Sequence, residues 1–297
     1  MRLGHAVLSM FAVTLLVFGM VRVTGDPVYF LLPSDSLPAD YVRATKELGL
    51  DQSLLVQFFS YFANAARGDL GMSFWSMTPV TDHLVARIPA TLMMAAAALV
   101  LTLVVSVPLG IASAYWRGGV VDRGARFFAA IGQSMPNFWV GIILILVFAI
   151  TFRVLPSGGY GGIQHVILPA ATLAIGAIAA LTRLLRSSMI EVLEADYVAF
   201  HRIKGLPERR VLFKHALRNS AVASLSYVGI VTAGFLTGSV LVETVFVWPG
   251  VGRLMVEAIA NRDFTLVQGC MLLFASVYIV VNLIVDLLYT VLNPRLR

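Results

Sequence analysis

Long apolar runs alternate with short polar segments along this chain, and each run is about as long as a bilayer is thick. A helix needs about 20 apolar residues to cross the hydrocarbon core of a membrane. The pattern therefore predicts an all-α, polytopic membrane helix bundle with six transmembrane helices. The uncharged runs that predict them are 4–21, 88–116, 127–152, 164–182, 221–242 and 264–285. We interpret the first run as a retained helix rather than a signal peptide, because no A-x-A cleavage site follows it.

The composition excludes a soluble globular fold. Hydrophobic residues make up 59% of the 297 residues and charged residues only 13%, whereas soluble domains carry about 25% charged residues. The net charge of +6 does not indicate a nucleic-acid partner, because the Lys and Arg residues lie in short loops between the apolar runs. That distribution is typical of membrane topology, and we expect membrane lipid around the bundle.

The loop charges predict the orientation, since cytoplasmic loops carry an excess of Lys and Arg. With the N-terminus inside, the inner segments hold 14 Lys/Arg and 6 Asp/Glu, and the outer segments hold 8 Lys/Arg and 10 Asp/Glu. We therefore expect both termini in the cytoplasm. The predicted organisation is an N-terminal transmembrane helix (1–24), an extracytoplasmic loop with short helices (25–87), a five-helix core (88–292) and a cytoplasmic tail (293–297).

Residues 183–220, here called the basic segment, form a charged inner loop between two apolar runs. The segment holds eight Lys/Arg and four Asp/Glu. Apolar residues with helical spacing predict that the preceding helix continues beyond the membrane with one apolar face. These residues are Met189, Leu193, Tyr197, Phe200 and Ile203.

A turn in the middle of the basic segment separates this helix from a second one. Gly205 fits the position just after a helix end, where a left-handed backbone costs glycine little. Pro207 fits the first position of the next helix, where its missing N–H is no loss. The second helix is basic, with Arg209, Arg210, Lys214 and Arg218. Two interpretations are open: an amphipathic helix pair on anionic headgroups, or a docking site for a soluble protein.

The residues of this segment resemble a known family. Asp196-Tyr197-Val198, Lys204-Gly205-Leu206 and His215-Ala216-Leu217-Arg218-Asn219 are similar to the EAA loop of binding-protein-dependent ABC-transporter permeases, in the oligopeptide/dipeptide/nickel branch. Ala199 occupies the position of the Glu of the general EAA motif, and residues 200–203 are larger than the family pattern. Further motifs of the branch occur in order: Gly68-Asp69-Leu70-Gly71, Pro89-Ala90-Thr91-Leu92, Ser134-Met135-Pro136-Asn137, Trp248-Pro249-Gly250-Val251-Gly252-Arg253, Asn261-Arg262-Asp263 and Asn293-Pro294-Arg295.

The resemblance implies the fold, the partners and a coupling site. The fold would be that of a type I ABC importer permease in a bacterial inner membrane. The partners would be a homologous sister permease, two cytosolic ATP-binding subunits and an extracytoplasmic substrate-binding protein. The cargo would be peptides, with nickel complexes or similar small solutes as the alternative. The residues implied to couple to the ATPase are Asp196, Tyr197, Ala199, Phe200, Ile203, Lys204, Gly205, Leu206 and Arg209.

Two other classes of protein fit the sequence less well than an importer subunit. A stand-alone secondary carrier is disfavoured because the spans contain no acid or histidine pairs and no obvious internal repeat. A purely structural scaffold is disfavoured by the Gly and Pro residues that interrupt the spans.

A second candidate site lies in the outer segment between the last two runs. The turn Trp248-Pro249-Gly250 is followed by Arg253 and helically spaced apolar residues, which predicts a short helix at the outer mouth of the path. It would help close an outer gate or receive the binding protein. The alternative is a passive interfacial hairpin with Trp248 as its anchor.

The sequence contains no motif for catalysis or nucleotide binding. No G-x-x-x-x-G-K-[ST], H-E-x-x-H or G-x-S-x-G pattern occurs, so we expect no enzyme activity, cofactor or metal on this chain. The single cysteine, Cys270, lies in an apolar run and is expected to be buried as a small hydrophobic residue.

Overall fold

The computed structural model describes residues 2–24, 28, 37–47, 49–237 and 239–292. The predicted tail, 293–297, and much of the start of the predicted outer loop lie outside this part of the chain. The described residues contain helices and no β-strand. The helices are α1 (Arg2–Thr24), α2 (Pro38–Glu47), α3 (Leu54–Ala66), α4 (Val80–Tyr115), α5 (Val120–Ser134), α6 (Asn137–Leu144), α7 (Gln164–Leu193), α8 (Asp196–Ile203), α9 (Glu208–Arg210), α10 (Leu217–Thr237), α11 (Val240–Val245), α12 (Val251–Ala260) and α13 (Phe264–Leu292).

The chain divides into two compact units. The first contains residues 1–91 and 249–280, and its core brings together α4, α12 and α13. The buried residues of that core are Val80, Leu84, Val251, Leu254, Ala258, Leu266 and Cys270. Cys270 is fully buried, as its apolar neighbourhood in the sequence predicts.

The second unit contains residues 92–248 and 281–297, and α7 is its central helix. Small residues let neighbouring helices come close to α7. A Cβ atom on Gly132 of α5 would lie 3.2 Å from the Cβ of Ala179, and one on Gly110 of α4 would lie 3.1 Å from the Cβ of Leu185. A second buried core, which includes Ile111, Leu185 and Met189, follows directly from this close packing.

The membrane spans among the described residues differ in number from the six predicted helices. Among the described residues, Val80–Tyr115, Gln164–Leu193 and Phe264–Val285 are long and apolar enough to cross a membrane. Two further helix pairs raise the number to five if each pair is one bent span, and the N-terminal apolar helix Gly4–Met20 is shorter than these. The helical membrane bundle is thus confirmed, while the count of six is not reproduced.

The predicted span 127–152, which Pro136 interrupts, is one of the bent pairs. Helices Val120–Ser134 and Asn137–Thr151 meet at an angle of 109°. The bend lies at Met135, whose backbone is extended (φ −95°, ψ 132°), and Pro136. A proline disfavours helical backbone in the residue before it and has no N–H to continue the helix, and both effects favour the bend at this position.

Candidate functional site

The basic segment begins inside α7, which ends earlier than the apolar spacing through Ile203 predicts. Helix α7 runs to Leu193 and is followed by a break at Glu194 and Ala195 before α8 begins at Asp196. Ala195 has extended backbone (φ −75°, ψ 144°), which changes the direction of the chain. The prediction of one continuous helix through Ile203 is therefore wrong.

The break also separates the predicted apolar face into two different environments. Met189 on α7 is fully buried, whereas Phe200 and Ile203 on α8 are 54% and 82% exposed. Tyr197 is exposed as well, and Val198 is the residue of α8 that faces the protein interior. The apolar residues of α8 are consequently available to something outside this chain.

Gly205 closes α8 with the backbone that its position in the sequence predicts. Its φ is +72°, in the left-handed region that favours glycine. The Gly205 N–H donates to the Arg202 carbonyl at 2.9 Å, and the Leu206 N–H donates to the His201 carbonyl at 3.3 Å. These two bonds form a Schellman motif, so the turn is a defined structure rather than a loose connection.

Helix α9 begins one residue later than predicted. Pro207 is its N-cap and not its first helical residue, because the ψ of Pro207, 139°, is extended. Its carbonyl accepts the first helical hydrogen bond, from Arg210 N–H at 2.8 Å. The helix then continues through a π-helical turn, Val211–Ala216, into α10.

Side chains join the two arms of this turn, which are α8 and the helix that continues from Glu208 into α10. We call residues 196–210 the knuckle. The Arg202 guanidinium donates to the Glu208 carboxylate at 2.7 Å, and this hydrogen bond raises the pKa of Arg202 above its ordinary value. Asn219 donates to the Tyr197 hydroxyl at 2.7 Å. The rings of His201 and His215 stack with their centroids 4.2 Å apart. The arms therefore form one packed unit.

The knuckle brings together all nine residues that the resemblance assigns to ATPase coupling. Eight of them are exposed and Leu206 is half-buried. The Lys204 ammonium lies 4.4 Å from the centroid of the Phe200 ring, within the range of a cation–π interaction. The surface is thus both apolar and basic, and it is formed by Asp196, Tyr197, Ala199, Phe200, Ile203, Lys204, Gly205, Leu206 and Arg209.

In the second candidate site, Trp248 lies inside the protein. It is fully buried, as is Phe246, and its ring meets that of Tyr160 edge-on with centroids 5.1 Å apart. The Gly159 N–H donates to the Phe246 carbonyl at 2.8 Å. Because it is enclosed, Trp248 is not available to lipid headgroups as an interfacial anchor.

Val247, between these two aromatic residues, has a strained backbone. Its φ is +53°, which is rare for a β-branched residue and costs about 1–3 kcal/mol. Such strain persists only where the surroundings hold it. Here the Val247 N–H donates to the Thr244 carbonyl at 3.2 Å, and the Trp248 N–H donates to the Glu243 carbonyl at 2.8 Å.

The remaining residues of the second site belong to the first unit. Pro249 and Gly250 precede α12, and the Val251 N–H donates to the Thr91 hydroxyl at 2.9 Å. Arg253 pairs with Glu257 one turn later at 2.8 Å. Val251, Leu254 and Ala258 are buried in the core of this unit, so the predicted apolar face of the short helix packs against its own chain.

Comparison with known proteins identifies the family. Residues 106–297 match the family described as "Binding-protein-dependent transport system inner membrane component". This chain belongs to that family. It is a multi-pass permease subunit of an ABC importer.

Two relatives are similar to the permease over nearly its whole length. The dipeptide transport system permease protein DppB of Escherichia coli (strain K12) is 36% identical over 329 residues, which cover 100% of this chain and 97% of the relative. The oligopeptide transport system permease protein AppB of Bacillus subtilis (strain 168) is 36% identical over 297 residues, which cover 96% of this chain and 94% of the relative.

A solved structure shares the fold of the permease. It is a chain of the MetNI methionine ABC transporter in a structure described as inward facing. The TM-score is 0.56 at 15% sequence identity, over 71% of this chain and 96% of that chain. The likeness shows that the permease has the fold of a known ABC importer permease.

One group of residues beside the knuckle was missed by the sequence analysis. Asp122 is 1% exposed and accepts hydrogen bonds from the Arg186 guanidinium, at 2.9 Å from Nη2, and from the Ser113 hydroxyl at 2.7 Å. The Gly118 N–H adds a third at 2.9 Å. The network ties α4, α5 and α7 together two turns before the end of α7. The signal for it was Asp122, the one acid among the arginines of residues 117–126.

No metal site is visible among the described residues, where no three His, Cys, Asp or Glu side chains come together.

Proposed function

We propose that the permease forms half of a translocation path for peptides, driven by two cytosolic ATP-binding subunits and supplied by an extracytoplasmic binding protein. A homologous sister permease would form the other half. The observation that carries the proposal is the knuckle, an exposed apolar and basic turn. Its second arm continues into α10, and its first arm follows α7 after the break at Glu194 and Ala195. The peptide cargo is supported by the names of DppB and AppB, which favour peptides over nickel complexes.

The knuckle has the surface of a protein-docking site. Ile203 and Phe200 expose large apolar side chains at its tip, and removing such a side chain from water stabilises a complex by about 1.5–3 kcal/mol. Arg209 and Lys204 add positive charge beside them. A cleft of an ATP-binding subunit with apolar walls and an acidic rim would complement this surface.

The bonds within the knuckle also support a role in transmitting movement from a partner to the bundle. Its turn is fixed by the Schellman motif at Gly205, and its arms are joined by the Arg202–Glu208 and Tyr197–Asn219 bonds. A partner that grips the tip would therefore move both arms as one body. Arg186, on α7, precedes the knuckle in the chain and is bonded to Asp122 on α5. This bond would carry that movement to α4 and α5.

The orientation follows the charge asymmetry of the loops. Both termini and the knuckle would lie in the cytoplasm, where the ATP-binding subunits are. The outer segment around Trp248 would then face the extracytoplasmic side. There the Trp248, Pro249, Gly250 and Arg253 region would help close the outer gate or contact the binding protein.

Co-purification tests the proposed docking directly. A tagged permease carrying Ile203→Asp should lose its ATP-binding subunits, because a carboxylate at the tip cannot be buried against an apolar cleft. The control is Ile163→Asp, which changes a residue that is equally exposed (84%) but lies outside the basic segment. Retention of the ATP-binding subunits by both variants would contradict the proposal.

A further inference from the structure

Helix α3, in the loop predicted to be extracytoplasmic, exposes large apolar side chains. Leu55 is 71% and Phe59 58% exposed. The polar side chains of the helix, Gln57, Ser60, Tyr61 and Asn64, line an open cavity of about 380 Å³ within the first unit, and Ser60 and Asn64 are themselves exposed. A helix on a water-exposed loop normally buries its apolar face. The exposure of Leu55 and Phe59 indicates that the medium on their side of α3 is apolar.

The position of α3 along α1 points to the same medium. Phe58 is buried, and its ring lies 5.5 Å from those of both Phe11 and Phe18. Phe18 and Phe11 precede Arg22 by four and eleven residues, so at 1.5 Å per residue α3 packs about 6 to 16 Å below Arg22 along α1. This part of α1 lies within its apolar stretch, Gly4–Met20. Helix α3 therefore packs beside the part of α1 that would lie in the hydrocarbon of a bilayer.

The charges around α3 fit this position. The thirteen residues from Leu54 to Ala66 include none that is charged, while Asp51 precedes the helix and Arg67 follows it. Inside the helix, the Gln57 amide nitrogen donates to the carbonyls of Leu50 and Gln52. Charged groups occur only beyond the helix ends.

We propose that α3 is embedded in the membrane and that its exposed face contacts lipid acyl chains. Helix α1, against which α3 packs, also exposes apolar side chains, such as Leu8, Leu15 and Leu16. The leaflet is the one that contains the C-terminal half of α1, which is the outer leaflet in the proposed orientation. The inference requires α1 to span the bilayer and does not depend on docking at the knuckle. Helix α3 then anchors the loop in the membrane and does not lie in the water outside it.

The test is the accessibility of single spin labels in the assembled importer in liposomes. In a Cys270→Ser background, a label at Leu55→Cys should collide readily with oxygen, which dissolves in acyl chains, and poorly with a water-soluble nickel chelate. A label at Asp51→Cys should show the opposite preference. Equal nickel accessibility at both positions would overturn the proposal, because it would place α3 in water. Low accessibility to both reagents at Leu55 would overturn it as well, because it would mean that protein covers this face.

Chemical labelling gives a second measurement. A membrane-impermeant charged maleimide should react with Leu55→Cys at least about tenfold more slowly than with Asp51→Cys, because a charged reagent enters the hydrocarbon poorly. Comparable rates would contradict the embedding of α3 even if both variants assemble normally.

Discussion

The Arg202 guanidinium is hydrogen-bonded to the Glu208 carboxylate across the turn at Gly205, at 2.7 Å. The two residues lie on the two arms of the knuckle, so this pair links the helix that leaves the bundle to the one that returns to it. Both side chains are partly exposed (41% and 35%). The pair therefore orients the arms more than it stabilises them.

Breaking this pair should have a small effect. We expect Arg202→Ala and Glu208→Ala each to weaken association with the ATP-binding subunits, with a coupling free energy below about 1 kcal/mol, because exposed ion pairs contribute little. A double-mutant cycle on the dissociation constant measures this coupling. A coupling of several kcal/mol would show that the pair is desolvated on docking.

The Asp122–Arg186 pair should behave differently, because Asp122 is buried. We expect Asp122→Ala to lower the free energy of unfolding by about 3–5 kcal/mol, since it leaves a partly buried guanidinium without its carboxylate. The control is Glu194→Ala, which breaks the exposed Arg117–Glu194 pair (60% and 67% exposed) and should cost at most about 1 kcal/mol. Thermal unfolding in detergent compares the two, and equal losses would mean that Asp122 is not buried as described.

Gly158 should tolerate no side chain. A Cβ atom there would lie 2.4 Å from the carbonyl oxygen of Phe246, a backbone atom that cannot move without displacing the buried Phe246 ring. We expect Gly158→Ala to destabilise the permease by about 1–3 kcal/mol, the usual cost of overpacking, and to lower its melting temperature. Gly162→Ala is the matched control, because a Cβ at Gly162 meets nothing within 4 Å. Equal melting temperatures would contradict the close approach.

Much of the fold could be predicted from sequence because apolar length and loop charge are local signals. The left-handed backbone at Gly205 was predictable for the same reason, because a Gly directly after a helical run commonly ends the helix in this conformation. The bend at Pro136 was only indicated, because sequence does not reveal whether a proline kinks a span or breaks it.

Other features were beyond the sequence because they depend on tertiary packing. The break at Glu194–Ala195 has no Gly or Pro to mark it, so the apolar spacing of Met189 and Ile203 falsely predicted a common face. The Asp122–Arg186 bond joins residues 64 positions apart, and no pattern along the chain connects them. The burial of Trp248 depends on Tyr160, which lies in a different loop.

The proposed orientation predicts which residues can be labelled from each side. A cysteine at Arg210, in the basic segment, should react only with a reagent on the cytosolic side. A cysteine at Asp51 should react only from outside. Labelling of both positions from the same side would contradict the proposed topology.

The central claim is that the knuckle passes the movement of the ATP-binding subunits to the bundle, and Gly205→Val tests it most directly. No atom lies within 4 Å of the Cβ position at Gly205, so the substitution acts through its φ of +72° alone. Holding valine in that backbone costs about 1–3 kcal/mol, which should distort the turn without unfolding the bundle. Gly68→Val is the matched control, because Gly68 also has a left-handed φ (+84°) and open space around it but lies far from the basic segment in sequence.

The deciding measurement is the number of peptides imported per ATP hydrolysed, in liposomes that contain the complete importer with its binding protein. We predict that Gly205→Val lowers this ratio, or abolishes association with the ATP-binding subunits, while Gly68→Val leaves both unchanged. Normal association and an unchanged ratio in Gly205→Val would contradict the claim and would favour a knuckle that rests on the membrane surface.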